Sequence, residues 1–225
     1  GRSSFFAHKN IHPRSQTVIS KINGLESLSD SELRSALSGQ QANLISNVNW
    51  PKDFPYAPSV SFRMAYSDKA VAVLFEVQED NVKAAAMESN GPVWEDSCVE
   101  FFIDNPAGEG YFNFEMNCIG TLLAAKRRSR TDFEYLSPEL NGQVRRFGSL
   151  EHKETNLKGA ALDWWIIEVI PFEILGLGKA PEKLRANLYK CGDKCETPHF
   201  LSWSPIGLPN PDFHCPDFFG EIVLA

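Results

Sequence analysis

The sequence predicts an all-β chain: an antiparallel β-sandwich of the immunoglobulin-like or jelly-roll type, carrying a short N-terminal helix. Three observations lead there. Apolar residues alternate with polar or small ones over Val60–Tyr66, Val71–Val77, Cys98–Asp104 and residues 112–118, the period-two signature of a strand. The chain holds 12 % aromatic residues, 14 Pro and 15 Gly, a mixture that suits pleated surfaces joined by many short turns. The strands also follow one another without intervening ten-residue helices, which argues for an antiparallel sandwich over a parallel sheet.

The elements can be justified in order. Ser27-Leu28-Ser29-Asp30-Ser31-Glu32, followed by Leu33 and Leu37, reads as a capped helix with Ser29 or Asp30 at its start and Gly39 at its end. Residues 1–45 are therefore expected to form a peripheral segment covering one end of a domain that spans 46–225. Val60, Phe62, Met64 and Tyr66, then Ser67-Asp68-Lys69, then Val71, Val73, Phe75 and Val77 make a hairpin. In the third strand Val99, Phe101 and Ile103 share one face, and Glu100 and Phe102 the other. Phe112, Phe114, Met116 and Cys118 are opposed in the same way to Asn113, Glu115 and Asn117. Ala161–Pro171 is a strongly apolar strand in which Trp164 and Trp165 point to opposite faces, so that one of them is a core residue. Phe172–Gly176 is a single helical turn, and Lys183–Lys190, His199–Ser204 and Phe219–Leu224 supply the remaining strands.

Composition narrows the function classes. With 22 Lys+Arg against 29 Asp+Glu the net charge is −7, which makes nucleic-acid backbone binding a poor fit. The longest apolar runs, such as Trp164–Ile167, are too short to span a bilayer. Five scattered cysteines are too few for a disulfide scaffold, and their odd number leaves one unpaired in a monomer. The chain starts Gly1-Arg2 without Met, which reads as a processed or truncated terminus from which any export signal has gone.

The motifs of nucleotide binding, phosphate cradling, zinc proteolysis and the hydrolase nucleophile elbow are absent. His8, His12, His152, His199 and His214 never fall at metal-ligand spacing. Polar residues set inside strand patterns beside aromatics are what stand out. Trp94-Glu95-Asp96 precedes the strand carrying Glu100, Asn117 sits three residues before Gly120, and Ser202-Trp203-Ser204-Pro205 places a second Trp at a strand end. A flat ring stacks on the axial C–H face of a pyranose while a carboxylate or amide takes its hydroxyls, so this is the composition of a sugar site. The competing reading puts both Trp in the core and Glu100 on a solvated face.

The stretch Val93-Trp94-Glu95-Asp96-Ser97-Cys98-Val99-Glu100-Phe101-Phe102-Ile103-Asp104 resembles the V-W-x-D-x-x-V-E-x-F-(I/L)-D segment of family 9 carbohydrate-binding modules, β-sandwich appendages of xylanases and related enzymes. Tyr111–Gly120, Arg185–Lys190, Trp203-Ser204-Pro205 and Phe213–Gly220 continue the similarity in order, over residues 50–225. The resemblance implies a non-catalytic module that grips a sugar between Trp94 and Trp203, with Glu100 accepting from hydroxyls and Asn117 and Asn187 as amide partners. It also implies a secreted, periplasmic or cell-surface location, a glycoside hydrolase as partner, and a plant polysaccharide such as xylan as ligand. A structural calcium ion is implied as well, for which Glu79-Asp80-Asn81, Asp96 and Asp104 offer hard oxygen ligands without diagnostic spacing. The N-terminal forty residues have no counterpart in the family.

Two features leave room for other readings. Arg127, Arg128 and Arg130 suit either a solvated loop or recognition of a uronate carboxylate. Alternatives to the module are a glycoside hydrolase using two of the many carboxylates, a heme-binding cytochrome-type sandwich drawing on Met64, Met87, Met116 and His214, and a purely structural or protein-binding sandwich.

Overall fold

In the computed structural model, which describes residues 13–225, the alternating segments are strands. His8, His12 and the start of the expected N-terminal segment lie outside the described residues. The first half of the chain gives β1 (Gln16–Lys21), β2 (Asn43–Leu44), β3 (Asn47–Val48), β4 (Ser59–Tyr66), β5 (Ala70–Ala84), β6 (Cys98–Asp104) and β7 (Tyr111–Asn117). The second half gives β8 (Leu122–Arg127), β9 (Phe133–Tyr135), β10 (Arg145–Gly148), β11 (Thr155–Pro171), β12 (Lys183–Cys191), β13 (Phe200–Ser202) and β14 (Gly220–Leu224). Two helices, α1 (Asp30–Ser38) and α2 (Pro138–Gln143), complete the regular structure. The capping box of α1 forms as the sequence predicts: the Ser29 hydroxyl accepts from the Glu32 N–H at 3.2 Å, and the Glu32 carboxylate accepts from the Ser29 N–H at 3.2 Å. The short α2, started by Ser137 and Pro138, has no counterpart in the sequence reading.

The strands divide into two sheets. One runs β14-β12-β6-β7-β8-β9, with β13 and β3 appended to it; the other runs β10-β11-β5-β4, with β2 on the β4 edge. Pairing is antiparallel except at β1, which lies parallel to β14 of the first sheet and to β4 of the second. The expectation of a peripheral N-terminal segment therefore needs correcting: residues 16–21 are built into both sheets, because Thr17 and Ile19 are buried at the seam. The 3₁₀ turn Leu25–Ser27 and α1 behave as a cover, with Leu25, Leu33 and Leu37 packing on Ala65, Ala72 and Leu74 of the second sheet's outer face.

The main core lies between the sheets. Val99, Phe101, Ile103, Phe112, Phe114 and Met116 meet Phe62, Met64, Val73, Phe75, Trp164 and Ile166 there. Trp164 is buried and Trp165 lies on the opposite face, stacked under the Arg34 guanidinium at 4.0 Å. The β5–β11 ribbon is longer than its apolar runs suggested, because Glu79 and Asn81 continue it as buried residues with internal partners. A second apolar cluster covers the outer face of the first sheet. There Trp50, Ile206, Phe213 and Phe219 from loops pack on Phe102, Tyr111 and Tyr189, with the Tyr189 and Phe213 rings stacked at 4.0 Å. This face is thus buried under loops except where they part.

Candidate functional site

The pleat of β6 and β7 sends Cys98, Glu100, Asn113, Glu115 and Asn117 away from the main core, onto the loop-covered face. Glu100 and Glu115 are direct register partners across those strands. Where the loops part, a cavity of about 300 Å³ opens, at the lower end of the size range for small-molecule sites. Its floor carries Glu100, Glu115 and Cys191, and Arg127 and Arg130 come from the end of β8 and the turn after it. Asp193 follows β12 at one side, and Phe213 and His214 close another. Trp94, Phe133 and Tyr135 stand at its walls, 37 %, 40 % and 43 % exposed.

Local structure fixes each group. Trp94 sits in the 3₁₀ turn Val93–Glu95, and its carbonyl accepts from the Asp193 N–H at 3.0 Å, tying that turn to the loop after β12. Arg127 is buried. Its Nε donates to Asn113 Oδ1 at 2.7 Å, a terminal N–H donates to the Arg130 carbonyl at 2.9 Å, and the guanidinium lies 4.1 Å from the Phe133 ring centroid. Asn113 in turn donates to the Glu115 carboxylate at 2.5 Å. The Tyr111 hydroxyl and His214 Nδ1 are hydrogen-bonded at 2.7 Å.

Burial governs the charges. It pushes Glu100 well above the usual carboxylate range and Glu115 up to about 7, the nearby Arg127 cation opposing the rise at Glu115. Asp193 is pushed up to about 6 by burial and by Glu95. His214 is pulled down to about 4 by burial and by Arg127, so at neutral pH it is an uncharged ring able to donate and accept. The floor is thus a set of closely spaced hydrogen-bonding groups of low net charge, beneath aromatic walls.

Of the five residues the resemblance implies for the sugar, Trp94 and Glu100 come together at this cavity, joined by Arg127 and Arg130 of the arginine group. The other three do not. Trp203 is buried between the sheets, edge-on to Phe62 at 5.6 Å, and presents no face to a ligand. Asn117 is fully buried: its amide donates to the Ala86 carbonyl and to Asp96, and its oxygen accepts from the Ile119 and Thr121 N–H groups, which closes the turn into β8. Asn187 accepts from Ser204 N–H at 2.8 Å and donates to the Ser204 carbonyl at 3.1 Å, stapling the chain after β13 to β12. Both amides satisfy backbone groups at strand ends, the other role open to them.

Of the oxygens suggested for calcium, those of Asp96, Glu79 and Asp104 already have protein partners. Asp96 accepts from the Ala85 and Ala86 N–H groups and from Asn117, with Lys83 at 3.6 Å. Glu79 is taken up by Trp164 and Lys190, and Asp104 pairs with Arg185. The heme reading fails on geometry, since Met64 and Met116 point between the sheets while His214 lies over the outer face. Glu100 and Glu115 sit side by side as register partners on adjacent strands, and burial raises both.

Comparisons with known proteins bear on the same chain. A family model described as carbohydrate-binding family 9 matches residues 13–224. The chain is similar to the crystal structure of a candidate carbohydrate-binding protein from Bacteroides uniformis, with 38 % identity and a TM-score of 0.89, covering 95 % of this chain and 100 % of that one. It shares its fold with a family 9 carbohydrate binding module from Caldicellulosiruptor kristjanssonii. The complex of that module with glucose gives 14 % identity, a TM-score of 0.55 and coverage of 94 % and 96 %. Its complex with cellotriose gives 13 % identity, a TM-score of 0.58 and coverage of 93 % of each chain. No functionally curated protein matches the chain.

Proposed function

The chain belongs to carbohydrate-binding family 9, and from that premise we propose that the cavity over β6 and β7 holds a sugar of a plant polysaccharide, a chain or a chain end, stacked on Trp94. The observation that carries this reading is the partly exposed Trp94 ring beside a buried floor of Glu100 and Glu115. The ring takes the C–H face of a pyranose. The floor carboxyls, with Asp193, Arg127 and His214, exchange hydrogen bonds with its hydroxyls. The second aromatic wall is Phe133 and Tyr135 of β9 in place of Trp203.

The role is non-catalytic. The module acts outside the cell and holds a partner polysaccharide hydrolase, of the xylanase class, near its substrate; the gain is one of effective concentration. Contact with one or two rings supports micromolar to millimolar affinity, about 4–8 kcal/mol.

The test is tryptophan fluorescence during titration with glucose, xylose, cellobiose, xylobiose and galacturonic acid, on the unaltered protein and on Trp94→Ala. Saturable quenching or a blue shift lost in the variant supports the proposal. The galacturonic acid arm reads whether Arg127 and Arg130 favour a carboxylate. No response to any sugar in folded protein overturns it.

A further inference from the structure

Beside Glu100 the cavity floor also carries two thiols that sugar binding does not use. Cys98 and Glu100 are two residues apart on β6 and point the same way, and Cys191 of β12 is the direct register partner of Cys98. The Cys98 and Cys191 sulfurs and a Glu100 carboxylate oxygen lie within 4.8 Å of one another. Cys191 Sγ is 3.0 Å and Cys98 Sγ 3.7 Å from Glu100 Oε2. Around a tetrahedral zinc-class ion, with sulfur at about 2.3 Å and oxygen at about 2.0–2.2 Å, ligand atoms stand roughly 3.5 Å from one another. The three donors are spaced like three corners of that polyhedron.

Their surroundings point the same way. All three side chains are buried, and among the described residues Glu100 has no ion pair; it accepts from the two thiols. A buried carboxylate ordinarily has a cation or N–H donors around it, and thiols are weak donors. Glu100 and Cys191 line the cavity, so one side of the cluster is open to it. Asp193 lines the same cavity, and its Oδ1 is buried without a hydrogen-bond partner.

We propose that Cys98, Glu100 and Cys191 form a binding site for one thiophilic, zinc-class divalent cation, with its fourth position open to the cavity on the Asp193 side. On uptake the ion replaces the two thiol protons and the proton held by the Glu100 carboxyl, all of which leave to solvent. Two sulfurs and an oxygen in tetrahedral spacing select zinc over the hard cations. The site differs in place and in ligand type from the oxygens suggested for calcium, and it does not depend on the sugar reading.

The test is anaerobic titration of the reduced full chain with Co²⁺, followed by displacement with Zn²⁺. The expected result is a thiolate-to-cobalt charge-transfer band and the visible bands of a tetrahedral ion, saturating at one ion per chain and bleached by zinc. Cys98→Ser and Cys191→Ser each abolish the bands and weaken zinc binding by at least about tenfold, while Cys195→Ser keeps both. In case a variant fails to fold, peptide mapping on the unaltered protein serves as a second readout: zinc slows alkylation of Cys98 and Cys191 but not of Cys195. The proposal is overturned by the absence of a thiolate band at one equivalent, by a band that survives both serine variants, or by a Cys98–Cys191 disulfide in the protein as isolated. Sugar titrations are read separately, so failure here leaves the carbohydrate proposal standing.

Discussion

Lys190 of β12 and Glu79 of β5 form an ion pair across the two sheets, Nζ to Oε1 at 3.1 Å, with neither side chain open to solvent. The ammonium has three N–H bonds and three acceptors: Glu79, the Cys191 carbonyl at 3.0 Å and His199 Nε2 at 2.6 Å. Burial and the Lys190 charge pull His199 well below its usual range, so it stays neutral and accepts. The second Glu79 oxygen accepts from Trp164 Nε1 at 2.7 Å. Lys190→Met strands a buried carboxylate and is expected to lose about 3–5 kcal/mol. Lys190→Met combined with Glu79→Leu should recover much of that loss, and denaturant midpoints of the two variants decide it.

The two tryptophans once paired by sequence should separate cleanly in experiment. Trp203→Ala empties a core position and is expected to lose about 3–5 kcal/mol. Trp94→Ala, on a partly exposed ring, should leave the melting temperature nearly unchanged while removing the fluorescence response to sugar. Thermal melts and sugar titrations on both variants check this, and the reverse pattern would contradict the assignment of the site.

Glu168 is fully buried, and neither of its oxygens has a hydrogen-bond partner. Burial pushes its carboxyl up to about 8, against the pull of Arg146. The folded state therefore holds a proton that the unfolded state releases near the ordinary carboxyl value of 4.5. Stability from this group is complete below that value and falls as pH rises towards about 8, with a slope approaching about 1.4 kcal/mol per pH unit. Glu168→Gln should leave the melting temperature unchanged at pH 4 and raise it at pH 8. Equal shifts at both pH values would refute the linkage.

Gly110 enters β7 with φ at +80°, and a Cβ placed there would lie 2.1 Å from the Arg127 carbonyl oxygen. Gly110→Ala meets both a strained dihedral and backbone it cannot displace. Calorimetry should show a loss of more than about 2 kcal/mol, and the sugar response should weaken because the strand end carrying Arg127 is moved.

How much of this was legible in the sequence follows from what alternation can report. Val99, Phe101 and Ile103 against Glu100 and Phe102 gave the correct faces of β6, since a pleat has only two sides. Alternation could not report that the polar face is also buried, because the loops carrying Trp50, Ile206 and Phe213 close over it only in three dimensions. Trp94 and Glu100 were legible through their shared segment. Trp203 was misread because a core indole and a stacking indole look alike in sequence, and Asn117 and Asn187 because a strand-end amide bonding backbone resembles one awaiting a hydroxyl. Phe133, Tyr135 and Arg127 reach the cavity through strand register, and Asp193 through the turn after β12. Arg127 was legible as a cation for a uronate carboxylate; for Phe133 and Tyr135 the available signal was the phase that puts Glu115 on the same face as Glu100.

The seating of β1 between β14 and β4 has a kinetic consequence. Gln16 finds its partner Glu221 only near the end of the chain, so the seam joining the sheets is the pairing with the largest loop to close. Contacts of that range slow folding. A ribosome or a translocation channel releasing the chain from its N-terminus would deliver β4 and β5 long before the strand that locks them to the other sheet. Until β14 emerges, the β1 edge over Gln16–Ile19, which that strand covers, stands open as a template for strand addition, and the interval before closure is when this protein is most exposed to misassembly.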